Sequence, residues 1–274
     1  MKEIWKLILL QPLVNGLIFF YKITGNLGVA IIILSLAIII ILFPLTITSL
    51  KTVRKISEIA PEIEELRKKY KNDKQKFNQA QMDLYRQKGV NPGVGCLPQI
   101  IQFLFLFTLY QVFSRVLVAD GVEAISKINE ILYPSLRFSP GESFNFSFLY
   151  LNLSKPDIFW VKGVPIPGAF LILAALAQFF SSKMMKPAVL KEKEVAQKTN
   201  EKTDDVFSSM QSQTLYLFPL MTIFFGFAFP SGFILYWFVF SLSQLLQQYF
   251  AFGLKDFSFW GKIGIGKWRK TKRN

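Results

Sequence analysis

The chain has 274 residues, 51% of them hydrophobic and 16% aromatic, with a formal charge of +14. Histidine is absent and cysteine occurs once, as Cys96, which removes the commonest general base, any intrachain disulfide and any thiolate metal cluster. Apolar runs of about 18 or more residues read as membrane-spanning helices, because a ~30 Å hydrocarbon core needs ~20 helical residues.

Residues 1–26 come first. Met1–Phe20 has the basic start of a signal peptide at Lys2 and Lys6, yet Gln11, Pro12 and Asn15 break its apolar run and no small-residue cleavage site follows. Gln11, Asn15 and Lys22 share one helical stripe, which suits an amphipathic helix lying on the extracytoplasmic bilayer surface. A sixth span fits the same residues and leaves the downstream orientation unchanged. Five spans follow, over about 27–50, 97–118, 158–181, 215–229 and 232–254. Lys162 and Pro165 interrupt the start of the third. The forty apolar residues from Leu215 to Leu254 are too long for one span, so Pro230, Ser231 and Gly232 are expected to form a hairpin turn between the last two. Between the first two spans, Ile56, Ile59, Ile63, Leu66 and Tyr70 repeat at three and four, with Phe77, Leu84 and Tyr85 beyond Lys71-Asn72-Asp73. This pattern predicts an antiparallel helical hairpin within 51–90.

Charge orients the chain. Lys51–Lys88 holds eleven Lys or Arg against six acids, and the tail 255–274 holds seven against one. Ser182–Gln213 holds six Lys and five acids. With five spans these segments share one side, which the positive-inside rule makes cytoplasmic, leaving the N-terminus outside and the C-terminus inside. The expectation is thus an all-α integral membrane protein: a five-helix core, a cytoplasmic hairpin and an N-terminal interfacial helix.

Polar residues inside spans face protein or water. Ser35, Ile39, Leu42, Thr46 and Ser49 form one stripe on the first span. Gln99, Gln102, Tyr110 and Ser114 cluster on one side of the second. Trp237, Ser241, Gln244 and Gln248 form a stripe on the last. Two arrangements fit: a wet cavity open inward, or interhelical hydrogen bonding.

Three motifs stand in register: Gln11-Pro12-Leu13, Gly25-Asn26 and Phe43-Pro44-Leu45-Thr46; Asn91-Pro-Gly-Val-Gly-Cys-Leu-Pro98 with Gln102 and Leu109-Tyr110; and Phe229-Pro-Ser-Gly232, Leu235-Tyr236 and Gln247-Gln248. Together they resemble the start, the second core helix and the final hairpin of the YidC/Oxa family of membrane protein insertases. The match runs from Gln11 to Phe250; the loop Val118–Val161 matches poorly. The resemblance implies a short bacterial member without a large periplasmic domain, in the plasma membrane. It implies insertion and folding of newly made membrane proteins, alone or beside the Sec translocon, through a hydrophilic groove. No enzyme activity, cofactor, metal or DNA is implied, and no phosphate-binding loop is found.

The implied groove residues are Ser35, Ile39, Thr46, Gln99, Gln102, Tyr236, Trp237, Ser241 and Gln244. The family usually carries an arginine five residues before the Pro matching Pro44; Ile39 stands there. A wet, uncharged groove follows, one that handles acidic tails less well than an arginine-bearing relative does. Arg115, near the outer end of the second span, is read as snorkelling outward. For Tyr236 and Trp237 the resemblance implies a contact with the inserting segment, and an interfacial aromatic belt is the alternative. The basic tail residues Lys267, Arg269, Lys270, Lys272 and Arg273 suit anionic lipid as a topology anchor, with ribosome contact in addition.

Overall fold

The computed structural model describes residues 6–71, 73–116, 121–139, 142, 144–184, 217 and 219–252. A wide helical turn, Lys6–Leu10, leads into α1, Gln11–Thr24. Gly25 ends α1 at φ 65°, a left-handed conformation that glycine adopts without strain, and its N–H donates to Tyr21 O at 2.7 Å. The chain doubles back into α2, Leu27–Glu58, a single helix that runs through Pro44 and past the expected boundary at residue 50. Two short helices follow, α3, Ala60–Lys69, and α4, Lys74–Gln87. Asp73 caps α4 by accepting from Lys76 N at 3.0 Å, and this backbone bond holds its carboxyl below the ordinary value. Ile59, Ile63 and Leu84 form the buried seam of α3 and α4, flanked by Leu66, Phe77 and Tyr85. Here water is the solvent, so each buried aliphatic contributes about 1.5–3 kcal/mol.

Asn91 starts α5, Pro92–Val116, by accepting from Gly93 N at 3.0 Å, with Pro92 at the first helical position. Ser49 Oγ donates to Gly95 O at 2.6 Å and ties α2 to the start of α5. The next loop contains α6, Gly121–Asn129, and two antiparallel ribbons. In the first, β1 (Ser147–Phe148) pairs β2 (Leu151–Asn152); in the second, β3 (Ile158–Val161) pairs β4 (Val164–Pro167). Helix α7 spans Ala169–Met184, a helical segment α8 covers 219–226, and α9 spans Ser231–Phe252.

The largest apolar core lies at one end of the bundle. It joins α1 (Val14, Leu17, Ile18), α2 (Leu27, Ile31, Leu34), the loop (Ile128, Leu132, Leu153) and the first turns of α7 and α9 (Leu171, Ile234, Leu235). The loop lies along α1: Asn15 donates to Ile131 O and accepts from Tyr133 N at 2.7 Å, and Lys22 Nζ donates to Arg137 O at 2.8 Å. Away from that end, Ile40, Ile41, Phe103, Phe107, Leu176, Phe224 and Phe250 face outward. Such a surface suits hydrocarbon rather than water. Three described helices are long and apolar enough to cross a bilayer, Lys6–Thr24, Leu27–Ile56 and Pro92–Gln111. Helix α9 has 22 residues, with Gln244, Gln247 and Gln248 making it less apolar.

Four features differ from the sequence expectation. The helix expected over 158–181 begins at Ala169, because Lys162-Gly163 forms a turn at positive φ and Pro165 and Pro167 deny a helix interior its donors. The chain is therefore not all-α. Helix α5 starts at Pro92 rather than 97, since Asn91 supplies the cap. The final reversal lies at 227–230, and Ser231 and Gly232 form the first turn of α9. Loop carbonyls satisfy that turn's free donors: Ser231 N donates to Lys155 O at 2.7 Å, Gly232 N to Leu153 O at 3.1 Å, and Ser231 Oγ to Asn152 O at 2.8 Å.

Candidate functional site

Three helices wall one cavity, in which polar side chains sit among apolar ones. From α2 come Ser35, Ile38, Ile39, Leu42 and Thr46; from α5, Pro98 and Gln102; from α9, Tyr236, Phe240, Gln244 and Gln247. Water centres have about 30 Å³ of space there, enough for roughly two waters. None of the lining residues is charged.

The chemistry follows from each side chain's partner. Ser35 Oγ donates to Ile31 O at 2.6 Å and Thr46 Oγ1 to Leu42 O at 3.0 Å. Each hydroxyl spends its one proton on its own helix, so only its lone pairs remain for the cavity. Gln102 Nε2 donates to Tyr236 Oη at 2.6 Å, across α5 and α9. Both residues are buried, at 5% and 2% exposure. Gln102 Oε1 and Gln247 Oε1 are buried without a protein partner. Buried carbonyls of this kind are ordinarily satisfied by water. The cavity is therefore neutral, and two carbonyls without a protein partner, Gln102 Oε1 and Gln247 Oε1, make it an acceptor site that water would satisfy.

Of the sequence-derived residues, Ser35, Ile39, Thr46, Gln102, Tyr236 and Gln244 meet here. Ile39 puts an alkyl chain on the wall. The side chains of Gln99, Ser114 and Arg115, and the tail residues Lys267, Arg269, Lys270, Lys272 and Arg273, lie outside what the structure describes. Trp237 and Ser241 do not line the cavity. Trp237 Nε1 donates to Gln178 Oε1 at 3.4 Å, and Ser181 Oγ donates to Gln244 Oε1 at 3.3 Å and Gln248 Oε1 at 3.0 Å. Thr222 of α8 also donates to Gln178 Oε1. The stripe Trp237, Ser241, Gln244, Gln248 thus runs along α7, while Tyr236, Phe240, Gln244 and Gln247 face the cavity. Sequence reasoning missed Phe240 and Gln247 on this wall, and Gln178 and Ser181 behind it. The spacing of three between Gln178 and Ser181, inside an apolar helix, was the available signal.

Asp157 supports the far end. It is buried, its Oδ2 accepts from Leu171 N at 2.9 Å, and its Oδ1 accepts from Tyr150 Oη at 3.1 Å. A carboxylate at the N-terminus of α7 is stabilised by the helix dipole. Partial burial pushes the Tyr150 hydroxyl up from its ordinary range.

These features define a helical membrane protein with a neutral cavity within its helix bundle. Residues 19–255 match the model of the family described as 60Kd inner membrane protein. The chain is 33% identical over 230 residues to the membrane protein insertase YidC of Fusobacterium nucleatum, covering 84% of this chain and 87% of that one. It is 29% identical over 247 residues to the protein of that name from Campylobacter jejuni, and 30% identical over 246 residues to that from Geobacter sulfurreducens. These alignments cover 89% and 90% of this chain but only 38% and 37% of those longer relatives. The chain belongs to the YidC/Oxa family of bacterial inner-membrane proteins.

Proposed function

We propose that this protein is a membrane protein insertase and chaperone whose neutral cavity is the innermost part of a cytoplasm-open groove. A substrate's short polar tail enters the groove while its apolar segment partitions into lipid. Hydrated acceptors shorten the low-dielectric path that the tail must cross. Burial of ~20 apolar residues drives the step, with the membrane potential acting on charged tails, and no bond is made or broken. The observation that carries this reading is the uncharged cavity between α2, α5 and α9 with its unpartnered carbonyls, in a chain whose relatives are named insertases.

In the same reading the core has five spans, with α1 on the outer surface, the N-terminus outside and the C-terminus in the cytoplasm. The bonds from Asn15 and Lys22 to loop backbone support the placement of α1, because irregular backbone does not face lipid at depth. The Sec translocon, the ribosome and anionic lipid are its proposed further partners. The basic tail serves the last two.

The test uses purified protein in liposomes and single-span substrates with neutral or acidic tails. Wild type inserts the neutral tail, and Ile39→Arg raises insertion of the acidic tail on the order of tenfold while leaving the neutral one unchanged. Insertion no better than in empty liposomes would overturn the autonomous reading and leave an assembly factor that binds partners without inserting them.

A further inference from the structure

The ribbon β3–β4 has an unusual composition. Its eight strand residues are Ile-Phe-Trp-Val and Val-Pro-Ile-Pro, joined by Lys162-Gly163. Phe159 pairs with Ile166 and Val161 with Val164 on one face; Trp160 pairs with Pro165 on the other. Both faces are therefore apolar, where a ribbon in water needs at least one polar face. Trp160 is 67% exposed, Val164 60%, Phe159 51% and Val161 50%.

The backbone matches the side chains. Lys162 and Gly163 have φ of 50° and 81°, so a tight two-residue turn closes the ribbon on the hydrogen-bonded pair Val161–Val164. Pairs alternate, so the backbone groups at Trp160–Pro165 and Ile158–Pro167 point outward. Both prolines lack an N–H, and Ile158 N already donates to Pro156 O at 3.0 Å. The Trp160 N–H is left as the ribbon's outward donor. An edge this poor in donors is a bad template for strand addition by a protein partner. It suits a medium that offers few acceptors.

Continuity identifies that medium. Gly168 alone separates β4 from α7. Phe159 stacks on Tyr150 at 5.7 Å, Tyr150 stacks on Phe170 of α7 at 5.9 Å, and Phe170 meets Phe238 of α9 at 5.6 Å. Tyr150 Oη is held by Asp157 and by Phe170 N. The ribbon is thereby fixed to the first turn of a membrane helix, and its apolar surface continues that of the helix. Trp160 and Lys162 are the residue types that settle at a bilayer's polar boundary.

We infer that the β3–β4 ribbon is a lipid-binding element that inserts into the leaflet nearest the start of α7. It lies in the boundary between headgroups and acyl chains, and it anchors the loop against the bilayer beside α7 and α9. Unpaired edge carbonyls keep it out of the hydrocarbon centre.

The test replaces Cys96 by Ser and places an environment-sensitive fluorophore at Val161→Cys, and separately at Val164→Cys, in the full chain reconstituted into phosphatidylethanolamine–phosphatidylglycerol vesicles. Exposed Glu142, in the same loop, becomes the Glu142→Cys control. Both ribbon labels emit to the blue of the control. Lipids bearing a nitroxide about 5–10 Å below the headgroups quench them several-fold more than the control, and aqueous iodide quenches them less. Ribbon labels as accessible to iodide as the control overturn the inference. Labels shielded from iodide yet not quenched by nitroxide lipid also overturn it, and assign the ribbon to a protein partner.

Discussion

Among the described residues, the bond between Gln102 and Tyr236 is the one polar link directly across the cavity wall, and its strength can be worked out. Tyr236→Phe removes the hydroxyl and leaves the whole Gln102 amide unpaired, because Oε1 has no protein partner already. Stranding a buried amide costs about 1–3 kcal/mol in water-soluble proteins. Interhelical bonds in membranes average only about 0.6 kcal/mol and reach about 1.7, and the cavity has room for replacement water. A loss of about 1–1.5 kcal/mol is therefore expected. Gln102→Leu strands the Tyr236 hydroxyl and costs about 1 kcal/mol. The double variant removes both partners, so its loss falls well below the sum, with a coupling energy of about 1 kcal/mol or more. The assay is equilibrium unfolding in mixed micelles titrated with dodecyl sulfate, followed by circular dichroism. Losses that add to within about 0.3 kcal/mol refute the link between α5 and α9.

Three further outcomes are expected. Gly226→Ala places a Cβ 2.2 Å from Leu171 Cδ1, on a side chain with no exposure, and lowers stability by about 1–3 kcal/mol; adding Leu171→Ala recovers part of that in the same unfolding assay. Asp157→Asn removes the charge that accepts from the start of α7 and lowers stability by about 0.5–2 kcal/mol, read as thermal loss of monodisperse protein in detergent. Asp73 has a carboxyl held below its ordinary value of 3.8, so it stabilises α4 above that pH and loses the contribution as pH falls through its lower native value. Amide exchange protection at Lys76 therefore declines in that acidic window, and Asp73→Asn abolishes the decline.

Legibility in the sequence tracked how many neighbours an element has. The pattern over α3 and α4 is simple because one apolar stripe meets one partner: Ile59, Ile63 and Leu84 pack together. The α2 stripe gave Ser35, Ile39 and Thr46 together because its other faces are almost purely aliphatic. Helix α9 has polar groups on two faces, one toward α7 and one toward the cavity. A period of 3.6 residues reports that polar stripes exist, but not which neighbour each one meets. Trp237 and Ser241 were therefore placed one face away from where they sit. The β3–β4 ribbon hid inside an apolar run continuous with α7. Lys162-Gly163 between β-branched residues, with prolines at alternate positions, was the turn signal that hydropathy obscured. Carbonyl partners such as those of Ser231 come from backbone and leave no mark in residue type.

Those acceptors couple distant parts of the chain. Asn152, Leu153 and Lys155 close the start of α9, and Asp157 closes the start of α7. Four residues of a single loop thus complete the first turns of two later helices. Helices α7 and α9 have their first turns completed by an earlier, polar stretch of the chain, which couples their register to that loop's placement.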